Sequence, residues 1–223
     1  MIPKIIHYCW FGPNPKTEEF QGYLETWKKL LPDYEIREWN ESNFDASKYL
    51  YSREASRLKS YAHVSDVCRL YALYNYGGIY LDTDVELLQS FNPFLKYESF
   101  LGTEVWMVGT GVIGSEAGAK WIELFLDYYS RTHFINIFGH AVRTPNSDIL
   151  TKKLLPSIPA RYWPAIFPRD YFSAKNWDDG TITKSVNTVS IHHYAASWRH
   201  KKTFREKIVM LFKGFGVRFL GKK

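Results

Sequence analysis

Apolar positions along the chain fall into short runs and helical repeats that alternate. Lys4–Trp10 is a compact apolar run closed by the turn residues Phe11-Gly12-Pro13-Asn14-Pro15, which predicts a short buried strand. Thr17 reads as an N-cap with Glu18 and Glu19 in the first turn. Phe20, Leu24, Trp27 and Leu31 then recur at helical spacing until Pro32 stops the helix. Tyr34–Trp39 follows as a second strand, and this β-α-β opening predicts an α/β sheet. Ser56–Tyr76 reads as one helix, with Tyr61, Val64, Cys68, Tyr71, Ala72 and Leu73 three or four residues apart, stopped by Gly77-Gly78. Ile79-Tyr80-Leu81 is an apolar strand leading into Asp82-Thr83-Asp84. Further strands are predicted near 100–103, 106–113, 164–172 and 188–194, and helices at 120–129 and 151–155. The chain shows no internal repeat and no interdomain linker.

Composition narrows the class. At 223 residues, 45% hydrophobic and 23% charged, the chain is long enough for one domain with a full core, and too apolar to be disordered. Its two cysteines, Cys9 and Cys68, sit in no metal or disulfide pattern, so a reducing cytoplasm is the expected location. The first residues lack the apolar core of a signal peptide, and no stretch approaches the ~18 apolar residues of a membrane span. The net charge of +6 is uneven. Residues 199–223 hold nine Lys/Arg against one acid, a net of +8, which leaves the first 198 residues at −2. A nucleic-acid-binding domain should instead carry its positive charge on its main face.

Three clusters carry candidate chemistry. Asp82 and Asp84 end an apolar strand, and extended alternation predicts that both carboxylates point to one side. Two such carboxylates repel unless a divalent cation joins them to phosphate, and strand C-terminal ends are where open α/β sheets bind ligands. Read alone, a short Asp-x-Asp is usually a solvated turn. Asp66 and Arg69, one helical turn apart, make either an ordinary intrahelical ion pair or a shared contact to a sugar hydroxyl or pyrophosphate. His192-His193-Tyr194-Ala195-Ala196-Ser197-Trp198 reads as a strand end with one core and one surface histidine, or as a metal ligand followed by phosphate donors. Trp10 is either core or a ring face for a nucleobase.

Together these clusters resemble the DxD-containing glycosyltransferase family 32. The residues that carry the resemblance are Ile2 through Gly12, Pro32-Asp33-Tyr34 with Trp39-Asn40, Ala62 through Tyr71, Gly77 through Asp84, and His192-His193 with Ser197-Trp198. Order and spacing make it specific over residues 1–90 and 188–198, while 95–187 match weakly. The resemblance implies an α/β, single-domain GT-A fold over 1–198, a Rossmann-like nucleotide-sugar-binding architecture. Residues 199–223 form a separate basic amphipathic C-terminal tail, expected to be helical. It implies that Trp10 stacks on the base, that Asp66 and Arg69 hold the ribose and sugar, and that Tyr80 lines the donor pocket. Asp82 would touch ribose or metal, Asp84 would ligate Mn²⁺ or Mg²⁺, His193 would complete the metal shell, and Ser197 and Trp198 would close over the β-phosphate.

The expected reaction moves a hexose or N-acetylhexosamine from a UDP-sugar, or another nucleotide sugar, with retention. Asp84 and Arg69 would balance charge at the leaving diphosphate. Retention needs a protein nucleophile, for which Asp148 and Glu104 are the candidates, or same-face attack, which family behaviour favours. The expected partners are a glycan or lipid-linked oligosaccharide acceptor in bacterial capsule or lipopolysaccharide synthesis, with no nucleic acid. Phe204, Ile208, Leu211, Phe212, Phe215 and Phe219, spaced among Lys and Arg, would dock the tail on an anionic membrane at the inner leaflet. A metal phosphohydrolase or nucleotidyltransferase, and a non-catalytic membrane adaptor, are the alternatives.

Overall fold

The computed structural model describes residues 1–195. The opening predicted from sequence is present as β1 (Ile5–Cys9), α1 (Glu18–Leu30) and β2 (Glu35–Trp39), with the Thr17 side chain accepting from Phe20 N–H at the start of α1. Next come α2 (Leu50–Arg57), α3 (Tyr61–Tyr76), β3 (Gly78–Leu81) and β4 (Val85–Leu87). β5 (Ser99–Thr103), β6 (Val108–Ser115) and α4 (Lys120–Arg131) follow, then a helical run through Asn146–Ile149, Leu150–Leu154 and Leu155–Ser157. β7 (Ala165–Phe167), a helical turn at Arg169–Phe172 and β8 (Ser190–His192) complete the described chain.

Six strands form one sheet in the order β2-β1-β3-β6-β5-β7, and β4 pairs with β8 in a second, two-stranded sheet. β1 runs parallel to β2 and β3, whereas β6 is antiparallel to both β3 and β5. The C-terminal ends of β1 and β3 therefore lie on one edge, which carries Trp10 and Asp82. Side chains alternate across the sheet as strand geometry requires. Ile79 and Leu81 enter the core shared with Ile6, Tyr8, Phe20 and Trp27, while Tyr80 enters the opposite core with α3 and α4. Residue 82 continues the parity of Tyr80, so Asp82 is delivered toward α3.

The joint between α3 and β3 explains the glycine pair. Gly77 and Gly78 have φ of +63° and +107°, and a Cβ at Gly78 would lie 2.6 Å from the Ile5 carbonyl oxygen and 3.1 Å from His7 Nε2. Only glycine meets both demands.

Several predicted elements differ. The helix expected over 56–76 is two helices, broken where Lys59 adopts φ +52° and Ser60 N–H turns back to the Ala55 carbonyl. The strand expected at 106–113 starts at Val108, because Glu104 N–H donates to the Met107 carbonyl and closes a turn. In 164–172 only Ala165–Phe167 is strand. Pro168, which has no N–H for a ladder, precedes a helical turn. The 151–155 helix belongs to the longer 146–157 run. Ser197, Trp198 and the 199–223 tail lie outside the described residues.

Candidate active site

Arg69 organises the edge. It rises from the buried face of α3, 6% exposed, and its Nη1 donates to the Thr110 carbonyl of β6 at 2.7 Å. Its Nη2 meets Asp66 Oδ1 at 3.1 Å and Asp82 Oδ1 at 3.2 Å. The guanidinium lies over the Tyr80 ring, 4.5 Å from its centroid, and the Tyr80 hydroxyl donates to Asp82 Oδ1 at 2.8 Å. Asp66 and Arg69 are thus more than a pair along one helix; Asp82 joins them. Tyr80 is buried, and its described role is to hold Asp82.

Asp82 and Asp84 approach each other through a turn rather than through strand alternation. Val85 N–H donates to the Asp82 carbonyl at 3.1 Å, which folds the chain back before β4 begins. The third member of the cluster arrives from β8. Val85 pairs with His192, so His192 faces the two aspartates: Nε2 is 3.1 Å from Asp84 Oδ1 and 3.7 Å from Asp82 Oδ2. Asp84 Oδ2 accepts from Ala195 N–H at 2.7 Å.

The sequence expectation placed His193 in this position, and the structure places His192 there. His193 Nε2 lies 2.8 Å from Glu86 Oε2, and its ring stacks on Tyr23 at 4.9 Å. The signal that separates the two was available. Val189 and Ile191 are the apolar, core-facing positions of β8 and its approach, so Ser190 and His192 share the other face.

Two further residues shape the cluster. Glu104, just beyond β5, brings Oε1 to 3.6 Å from His192 Nδ1, a buried nitrogen that makes no hydrogen bond among the described residues. Gly111 on β6 faces the same point. A Cβ there would fall 2.7 Å from His192 Cε1 and 3.0 Å from Asp82 Oδ2. Sequence reading missed Gly111, whose signal is the glycine alternation Gly109-Thr110-Gly111 in an otherwise packed strand.

The electrostatics follow from burial and neighbours. Burial pushes the Asp66 carboxyl up, Arg69 pulls it back and Asp82 pushes it up again, leaving it at about 6. Burial works against the Arg69 charge, but Asp82, Tyr80 and Asp66 together hold its pKa above the ordinary value. Burial also opposes ionisation of Asp84, yet His192 and the Ala195 N–H bring it down to about 2. Burial disfavours the His192 cation, and Asp84, Glu104 and Asp82 outweigh it, so its pKa stands well above the usual histidine value.

The cluster holds four carboxylates (Asp66, Asp82, Asp84 and Glu104) against Arg69 and His192. One oxygen from each of Asp82 and Asp84 and one His192 nitrogen lie within 4.8 Å of one another. Two carboxylate oxygens and an imidazole are a donor set that suits a divalent cation. The excess negative charge and the space that a Cβ at Gly111 would fill agree with that fit.

The other expected residues lie around this centre. Trp10 donates from Nε1 to the Asn14 carbonyl at 2.9 Å and stacks on Phe20 at 5.2 Å. Beside the end of β1, an open cleft of about 590 Å³ is lined by Phe11, Asn43, Phe44, Asp45, Tyr61 and Val64 among others; Trp10 is not in its lining. Asp148 sits on the helical run with Lys152 Nζ 2.9 Å away, and no hydrogen bond or ion pair among the described residues joins it to the Asp82 cluster.

The fold and this cluster define a class. Residues 17–101 match the family model described as a glycosyltransferase sugar-binding region containing a DXD motif. The chain is similar to inositol phosphoceramide mannosyltransferase 3 of Schizosaccharomyces pombe, 36% identical over 106 residues that make up 45% of this chain and 29% of the relative. This chain thus spans less than a third of that relative's length. Its fold is similar to the PaToxG glycosyltransferase, with TM-score 0.50 and 18% identity over 72% of each chain. It is also similar to the galactosyltransferase LgtC solved with donor and acceptor sugar analogues, with TM-score 0.50 and 12% identity over 95% of each chain. At these identities the likeness establishes the fold, the GT-A α/β architecture that the sequence resemblance implied.

Proposed function

We propose that this chain transfers a hexose from a nucleotide sugar to a hydroxyl of a lipid headgroup or glycan, with a divalent cation held by Asp82, Asp84 and His192. The observation that carries this reading is the convergence of those three side chains on one point at the strand edge, with Arg69 and Asp66 behind them. The cation, Mn²⁺ or Mg²⁺, would supply neutralising charge for the diphosphate leaving group.

The chain's own residues do the rest. Arg69, locked by Thr110, Asp66, Asp82 and the Tyr80 ring, fixes Asp82 and adds positive charge beside the site. Asp66 keeps a carboxylate oxygen for donor hydroxyls. The cleft between Phe11 and Tyr61, with Asn43 and Asp45 on its wall, would take the nucleobase. Ser197 and Trp198 would close over the β-phosphate and exclude water. Asp148 is paired with Lys152 and Glu104 is turned to His192, so no protein nucleophile is assigned, and retention would proceed by same-face attack assisted by the leaving diphosphate.

The matched relative is fungal and, by its name, adds mannose to inositol phosphoceramide. That supports a lipid headgroup as acceptor and gives none to bacterial surface polysaccharide or to an inner-leaflet location. No helix among the described residues is long and apolar enough to cross a membrane. The test is release of nucleoside diphosphate with Mn²⁺ from a panel of UDP-hexoses and GDP-mannose. Release from one donor is expected, with loss of about a hundredfold or more in Asp84→Asn. Equal release by that variant would overturn the reading.

A further inference from the structure

The segment joining α4 to the 146–157 run has an unusual composition. Arg131 through Arg143 reads Arg-Thr-His-Phe-Ile-Asn-Ile-Phe-Gly-His-Ala-Val-Arg: two arginines, two histidines and no acid. It folds as a small hairpin. Ile135 bridges Ala141, Val142 N–H donates to the Phe134 carbonyl at 2.7 Å, and Asn136 N–H donates to the His140 carbonyl at 2.9 Å. The Asn136 side-chain oxygen accepts from both Phe138 and His140 N–H at 3.0 Å, which ties the turn. The tip is Ile137 and Phe138, 93% and 76% exposed.

The base is as firmly built as the tip is exposed. Glu54, a nearly buried carboxylate of α2, accepts from Phe134 N–H at 2.8 Å and Ile135 N–H at 3.0 Å and meets His133 Nδ1 at 2.8 Å. Phe134 is fully buried against Tyr51 and His63, with ring centroids 5.2 and 4.9 Å apart. His63 lies in the first turn of α3, three residues before Asp66, and Tyr61 packs over Gly12 just past β1. The hairpin therefore stands at the edge of the sheet that carries the Asp82 cluster. A loop meant for water would hide two adjacent large apolar side chains or leave its backbone loose. This one anchors its backbone and turns them outward.

Two apolar side chains are too small an area for a stable protein interface, which needs about 800 Å² per partner. They suit insertion at a bilayer surface, where apolar side chains enter the acyl boundary and basic flanks meet anionic headgroups. Among the described residues Arg143 and His140 have no ion-pair partner, His133 is held by Glu54, and Arg131 has only the solvent-exposed Asp127 on its own helix. We propose that the 131–143 hairpin docks this chain on an anionic membrane, with Ile137 and Phe138 inserted and Arg131 and Arg143 at the headgroups, so that the site edge faces the lipid surface. The proposal rests on the hairpin's build and charge and not on the transferase reading.

Both native cysteines are buried, so the whole chain carrying Phe138→Cys can be labelled there alone with an environment-sensitive dye. With vesicles of phosphatidylcholine and phosphatidylserine, the dye emission shifts to the blue and brominated lipid quenches it. The same dye on Val186→Cys, a 90% exposed position on another loop, keeps its aqueous spectrum. The double variant Ile137→Ser, Phe138→Ser loses vesicle partitioning by about tenfold or more at unchanged Tm. An aqueous spectrum at position 138 while the chain floats with vesicles, or failure of the chain to float, overturns the proposal. So does equal flotation of the double variant, or a blue shift without vesicles that grows with protein concentration, which would place the tip in a second copy. Nucleotide release in vesicle-free buffer, measured on the same variants, reports on the transferase reading separately and is expected to stay within twofold of wild type.

Discussion

The two ends of β3 both bury polar side chains, and they do so in opposite ways. At the start, His7 is fully buried. Trp39 Nε1 donates to its Nδ1 at 3.0 Å, which makes Nε2 the donor to the Gly77 carbonyl at 2.7 Å. Each ring nitrogen has one partner, the ring is neutral, and the account closes. At the other end, four carboxylates crowd one guanidinium and one imidazole, and His192 Nδ1 is buried with no hydrogen bond among the described residues. Burial of polar groups is common to both. What separates a structural node from a binding site is whether the surrounding chain completes their partners, because an unsatisfied buried charge costs stability that only a ligand recovers.

The comparison can be broken at either end. The largest effect is expected from Arg69→Leu, which leaves the buried Asp66 and the half-buried Asp82 without their cation. A loss of about 3–5 kcal/mol in chemical denaturation of the metal-free protein is expected. A loss below about 1 kcal/mol would mean that the carboxylates find water or protons as readily as Arg69.

The closed end answers to acid. Burial holds His7 at about 4 against an ordinary 6.5, with the Gly77 hydrogen bond pulling partly back. The unfolded chain therefore binds the extra proton first. The stability His7 provides is complete above pH 6.5 and is lost as pH falls toward 4, about 3 kcal/mol in all. Denaturation midpoints across that window should fall less steeply in His7→Asn, whose amide oxygen still accepts from Trp39. Parallel slopes would remove His7 from the account.

The smallest effect is the sharpest. His192→Gln should weaken Mn²⁺ binding, read by paramagnetic resonance of the free ion, by about 10–100-fold. His193→Gln should leave it within twofold, because His193 is engaged by Glu86 and Tyr23. The reverse ranking would restore the assignment that sequence alone suggested.

How far the sequence reached depends on how local each feature is. The β1-α1-β2 opening and the Gly77-Gly78 joint are written in adjacent residues, and both are where the pattern put them; Asp82 and Asp84 come together as expected, but through a turn that the expected alternation did not contain. β4 escaped because three residues, Val85–Leu87, carry too little periodicity to register. The break at Lys59 escaped because a lysine in a left-handed conformation leaves no mark in an apolar pattern. The reach of Arg69 to the Thr110 carbonyl, the approach of Glu104 to His192 and the grip of Glu54 on the hairpin base are contacts across the fold. Spacing along the chain encodes none of them. His192 is a different case: the alternation of Val189 and Ile191 against Ser190 and His192 marks its face locally, and the β4–β8 pairing, 107 residues apart at Val85 and His192, supplies what that face meets.

That pairing also sets an order of events during synthesis. Asp82 and Asp84 leave the ribosome early, but the groups that offset them, His192 and the Ala195 N–H, emerge only after the intervening hundred residues, Ala195 lying 111 positions beyond Asp84. Arg69 and Tyr80, which meet Asp82, are synthesised before it, so Asp84 is the carboxylate that waits longest for its partners. The last described strand acts as a seal. Until it docks, the Asp82–Asp84 turn lacks the His192 ring and the Ala195 N–H that the finished fold sets against Asp84.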